Sequence, residues 1–210
     1  MNFLGHTFVA MADDDGPDDR PDDPEYLLGA VLPDLASMAR VRVDRSGLEG
    51  ELLRGVRCHI EVDAAFHDLP EFHRGMASLR ERLVPHDIGR GAARAIGHVG
   101  WELLLDGTLV GSRAEEAYWR ALDVAPAALD AITPAGQERW AHFLGRWDLT
   151  PRPQLRYDDP GWVADRLYAM LSDRPYLQFR AEHVPAVAEA LADEQPSVVA
   201  AAGTVLAALR

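Results

Sequence analysis

At 210 residues the chain is long enough for one domain with a full hydrophobic core, and 48% apolar residues is ordinary for a globular protein. A net charge of −13, with all 21 basic residues arginine, excludes the broad basic face that nucleic-acid backbones require. A single cysteine, Cys58, excludes an internal disulfide and fits a reducing compartment.

Ala, Leu, Arg and Glu are abundant, and β-branched runs of strand length are scarce, which predicts an all-α fold. The expected architecture is a compact multi-helix bundle. One domain is expected over residues 1–210, with a metal-site half in 1–106 and a helical scaffold in 107–210. The start, Met1-Asn-Phe-Leu-Gly-His6, lacks the basic region and long apolar core of a secretory signal. No apolar run approaches the roughly 20 residues of a membrane span. A cytoplasmic protein is therefore expected.

Residues 1–12 are apolar on nearly every side and predict a short buried helix around His6. Residues 13–25 hold eight acids and one arginine, which predicts a solvated loop. A second apolar piece runs from Tyr26 to Met38 with Pro33-Asp34 inside it. Proline suits a first helical turn, so Asp34 is expected at a break or a new helix start.

The next helix is expected from a Ser46 N-cap, with Glu49 three residues on, to Leu69-Pro70. It carries His59, Asp63 and His67 four residues apart, with Asp68 next door. A four-residue step overshoots a full helical turn by only about 40°, so these groups share a face with Val56, Leu52 and Leu48. Imidazole and carboxylate are costly on a core face unless paired or bound to metal.

A helix over 71–83 should stop before Pro85. Five arginines, Arg74, Arg80, Arg82, Arg90 and Arg94, make the one locally basic region, read as a solvated face or a dock for phosphate or an acidic partner. Residues 88–105 predict a nearly continuous apolar helix interrupted by Arg94, His98 and Glu102, with Asp106-Gly107 closing it. Further helices are expected over 108–122, 134–147, 160–172, 176–192 and 196–209. The five tryptophans are read as core, His73 and His86 as surface, and His142 and His183 as lacking a partner at ligand spacing.

Two helices thus each carry a histidine with a carboxylate one turn later, His59/Asp63 and His98/Glu102. Neutral imidazole and carboxylate suit zinc, manganese and iron. With His6, Asp34 and either His67 or Asp68 there are ligands enough for two ions, which could activate water and clamp a phosphoester. His6, Asp34, His59, Asp63, His98 and Glu102 are the expected metal ligands. Asp68, His67 and Asp63 are the candidates for general base. The contrary expectation is a non-catalytic helical protein whose buried histidines and acids pair with each other, or that binds a phosphorylated ligand.

Met1-Asn-Phe-Leu-Gly-His6, Leu27-Leu-Gly followed by Asp34, and Gly55-Val-Arg-Cys-His59 with Asp63, Asp68, Leu69 and Pro70 together resemble the acyl carrier protein phosphodiesterase family. That resemblance covers roughly residues 1–105. It implies an all-helical fold related to the HD-domain phosphohydrolases, a divalent metal, commonly manganese, and release of 4′-phosphopantetheine from holo-acyl carrier protein. His6, Asp34, His59, Asp63 and Asp68 match the family by position. The chain departs from it at Ile60 and Glu61, where basic residues are usual, and at His98 and Glu102, where an adjacent Asp-His pair is usual. The two His-x-x-x-acid helices are also similar in ligand logic to zinc-dependent phospholipase C and related nucleases. The implied partner is acyl carrier protein or a small phosphodiester.

Overall fold

The structure, a computed structural model, describes residues 1–12, 23–146 and 152–210. Most of the acidic segment expected as a loop, and Trp147, lie outside the described residues. Among the described residues there are nine α-helices: α1 (Phe3–Ala10), α2 (Pro24–Ala39), α3 (Gly50–His67), α4 (Pro70–Leu83), α5 (Arg90–Gly107), α6 (Arg113–Val124), α7 (Gln137–Gly145), α8 (Pro160–Leu171) and α9 (Val184–Ala208). The only extended pairing among them is an isolated bridge between Val43 and Ile132. The all-α expectation holds, and no described helix is long and apolar enough to cross a membrane.

The chain divides into two units that interleave along the sequence. One comprises Phe3–Ala64, Gly111–Gln154 and Arg210; the other comprises Met1–Asn2, Ala65–Val110 and Leu155–Leu209.

In the first unit, α1 packs against α2 and α6. Seven of its eight residues are buried, as its all-round apolar pattern requires. Thr7 ties it down: its hydroxyl lies 3.0 Å from the carbonyl oxygen of Ala114 at the start of α6. Helix α2 starts where Asp23 accepts the backbone N–H groups of Glu25 and Tyr26, with Pro24 at the tolerant first position. It then runs straight through Pro33, so Asp34 sits in mid-helix and not at a break. The missing proline N–H costs one ladder bond to Gly29, about 3 kcal/mol in a bare helix. Burial of Leu27, Leu28, Val31, Leu32 and Leu35, at about 1.5–3 kcal/mol each, outweighs that cost.

The start of α3 also differs from expectation. Ser46 is not its cap: its N–H and hydroxyl both donate to Asp44 Oδ1, closing a short 3₁₀ turn over Arg45–Gly47. Helix α3 begins instead at Gly50, whose φ of +58° is the left-handed conformation glycine adopts without steric cost.

In the second unit, α4, α5, α8 and α9 pack on one another. Helix α5 ends on Gly107, as expected, although not in the left-handed conformation. A side chain there would collide with the Tyr157 backbone, with an added Cβ 2.7 Å from its carbonyl carbon, so this glycine also serves close approach. The two helices expected over 176–192 and 196–209 are one, α9, with Pro196 inside it. Buried Leu191, Val198, Ala202 and Val205 carry its core stripe past the proline. The start comes later than expected because Tyr176 has a φ of +70° and Ala181–His183 form a 3₁₀ turn.

Helix α8 opens on Asp159, which accepts the N–H groups of Gly161 and Trp162 and pairs with Arg156. The Trp162 N–H, helped by the Arg156 charge, holds this carboxyl below the ordinary aspartate range against the opposing effect of burial. A depressed carboxyl contributes stability above its unfolded pKa of about 3.9 and loses it as pH falls through the lower folded value. Asp159→Ala should therefore lower stability at neutral pH and flatten the acid limb of the stability curve. Urea unfolding at neutral pH and below pH ~4 checks this; an unchanged acid limb would refute it.

Candidate metal centre

The first unit brings His6, Asp34 and His59 together, each able to offer a ligand atom within 4.8 Å of the others. Two glycines make this convergence possible. Helices α2 and α3 cross at Gly29 and Gly55 with their backbones in contact. A Cβ on Gly29 would lie 2.8 Å from Gly55 Cα, and a Cβ on Gly55 would lie 2.8 Å from Gly29 Cα and closer still to the Tyr26 carbonyl oxygen. One turn beyond the crossing, His59 Nδ1 lies 2.9 Å from the Ala30 carbonyl oxygen. A carbonyl only accepts, so Nδ1 carries the proton and Nε2 carries the lone pair. That Nε2 faces Asp34 Oδ1 at 4.0 Å. A ring N–H given to a backbone carbonyl, with the other nitrogen left basic, is the usual support of a metal-ligating histidine.

Helix α1 delivers His6. Its ring stacks on His59 with centroids 4.0 Å apart, and its Nε2 lies 3.8 Å from Asp34 Oδ2 and 4.0 Å from Asp63 Oδ1. Asp34 thus turns a different oxygen to each histidine. Both histidines are buried, and the two carboxylates are about one-third exposed. Burial lowers the pKa of His59, with the Ala30 carbonyl and the Asp63 charge opposing it in part. The ring therefore stays neutral near pH 7, the form that binds metal.

The second unit holds another group, His67, His98 and Glu102. His67 comes from the last turn of α3, and His98 and Glu102 lie one turn apart on α5. Glu102 is buried. Burial alone would raise its pKa, but the Met1 amino group and hydrogen bonds from His67 and His98 prevail and hold it well below the ordinary range. Met1 N lies 3.0 Å from Glu102 Oε1.

Of the six expected ligands, the structure places His6, Asp34, His59 and Asp63 together in the first unit, and His98 and Glu102 together in the second. His67, read from sequence as a candidate base, lies with His98 and Glu102. Asp63 lies beside His6. Asp68 is exposed and belongs to neither group. Sequence reasoning missed the Ala30 carbonyl and the Met1 amino group, because backbone groups leave no residue-type signal. The five arginines over 74–94 are exposed, with Arg74 paired to Glu71 and Arg82 to Asp193. His73, His86 and His142 are exposed, and buried His183 meets Arg180. Trp101, Trp119 and Trp140 are core, while Trp162 is half-buried. Compared with protein-family models, curated proteins and solved structures, the chain matches none.

Proposed function

We propose that this chain is a metal-dependent phosphodiester hydrolase whose ligands are His6, Asp34, His59 and Asp63. The observation that carries the reading is the fixed tautomer of buried His59, which aims a basic Nε2 at Asp34 beside a second buried histidine. Four groups of this chemistry suit divalent manganese, iron or zinc. Asp34, with one oxygen toward each histidine, would help hold the metal together with both rings. When bound, such ions supply Lewis-acid activation of water and charge neutralisation at a phosphoryl group.

The protein's own groups do the rest. His59 is held neutral and oriented by Ala30. His6 is held by α1, which Thr7 fastens to α6. Asp63 is partly exposed beside His6, where its carboxylate can take a proton from an attacking water. The resemblance over roughly residues 1–105 supports a substrate of the phosphopantetheine type on acyl carrier protein, in a cytoplasmic setting. The single cysteine agrees with that setting.

Metal content and turnover test the proposal together. After loading with manganese, iron or zinc and exhaustive dialysis, the protein should retain stoichiometric metal and hydrolyse an aryl phosphodiester, and holo-acyl carrier protein should yield 4′-phosphopantetheine. Chelation should abolish both reactions and metal return should restore them. Protein that holds no metal after loading, yet is folded, would end this reading. Retained metal with carrier protein bound but uncleaved would replace hydrolysis by binding.

A further inference from the structure

We propose that His67, His98 and Glu102 bind a zinc ion of their own, at a three-ligand site with an exchangeable fourth position. This goes beyond the hydrolase reading and does not depend on it.

Distances carry the inference. His67 Nε2 and His98 Nε2 are 3.1 Å apart. Glu102 Oε1 lies 3.4 Å from the first and 3.2 Å from the second. Zinc bonds to imidazole and carboxylate are about 2.0–2.1 Å, so a tetrahedral zinc site has ligand-to-ligand edges of about 3.3–3.4 Å. The triangle is close to that size. The histidine-to-carboxylate separations in the His6 group are 3.8 to 4.0 Å, wider than a tetrahedral edge.

The triangle is also held in place. Buried Phe72 stands nearly edge-on to both imidazoles, with its centroid 5.0 Å from His67 at 82° and 5.1 Å from His98 at 87°. Phe66 stands at 74° to His67 from another side. Such edge-to-face contacts fix ring planes, and here they turn the same nitrogen of each ring to one carboxylate oxygen. Glu102 is buried, and its Oε1 also lies 3.0 Å from the Met1 amino group. Two imidazoles and a carboxylate are a zinc-type donor set. Three protein ligands leave the fourth position for an exchangeable group, as in catalytic zinc sites. His67 and His98 are about one-third exposed, so solvent reaches it.

Cobalt(II) is the probe, because tetrahedral cobalt absorbs visible light far more strongly than six-coordinate cobalt. The full chain should take up cobalt with the strong bands, and zinc should displace it. His67→Gln and His98→Gln, each at a half-buried position, should keep the helical circular dichroism but lose the strong bands. Their zinc affinity should fall by more than the roughly 10- to 100-fold that loss of a ligand's outer-shell partner costs. His6→Gln should keep the bands. Wild-type protein with only weak six-coordinate bands, strong bands surviving in either His67→Gln or His98→Gln, or bands lost in His6→Gln, would overturn the assignment. The hydrolase reading fails separately, on the metal content and turnover of His59→Ala.

Discussion

His59→Ala should lower manganese retention and phosphodiester turnover each by more than about 100-fold while leaving the protein folded. The size follows from the geometry. Loss of only an outer-shell partner of a ligating histidine typically costs about 10- to 100-fold. His59 is the ligand, and its outer-shell partner, the Ala30 carbonyl, would lose its donor as well. The stability change should be modest. The substitution removes a buried polar ring stacked on His6 and leaves Asp34 partly exposed to water. Equilibrium dialysis with manganese, turnover and urea unfolding on the same preparation separate the possibilities. If His59 were only a core residue paired with Asp34, the variant would lose stability and keep whatever metal the wild type holds.

Gly55→Ala should cost about 3 kcal/mol or more and abolish the His6–Asp34–His59 group. The new methyl would lie 2.8 Å from Gly29 Cα and Ala30 N, and closer still to the Tyr26 carbonyl oxygen. Ordinary contact for a Cβ begins at 3.4 Å, and none of these atoms is a side-chain end that can swing away. The helices must separate, which puts the change at the upper end of the 1–3 kcal/mol typical of overpacking. Separation would also break the His59–Ala30 hydrogen bond, one turn from the crossing. Alanine is the better helix former by about 1 kcal/mol, so a helix considered alone predicts stabilisation, the opposite sign. Urea midpoints for Gly55→Ala and Gly29→Ala decide between the two, and a midpoint equal to or above wild type would contradict the close crossing.

These two positions also show what the sequence could and could not reveal. Periodicity exposed the helices and the one-turn pairs His59/Asp63 and His98/Glu102, because a repeat near 3.6 residues is local and survives in one dimension. The crossing of α2 and α3 did not show, since a glycine inside a helix reads as a weak spot until its neighbour helix is known. Pro33, and the proline at 196 where a new helix is expected to start, read as interruptions. Local propensity favours that reading, but the buried leucines and valines around them sustain the helices. Four-residue steps taken as aligned put His67 on the His59 face. Over eight residues the drift reaches about 80°, and His67 joins His98 and Glu102. Asp68 was carried by its place in a motif, and it is exposed.

The measurement closest to the central claim is an anomalous-scattering map from crystals of the manganese-loaded protein, with data collected on both sides of the manganese edge. The account predicts a peak bonded to Nε2 of His59 and to Asp34, with His59 Nδ1 still on the Ala30 carbonyl. A fully loaded crystal with no manganese peak at His6, Asp34 and His59 would contradict it.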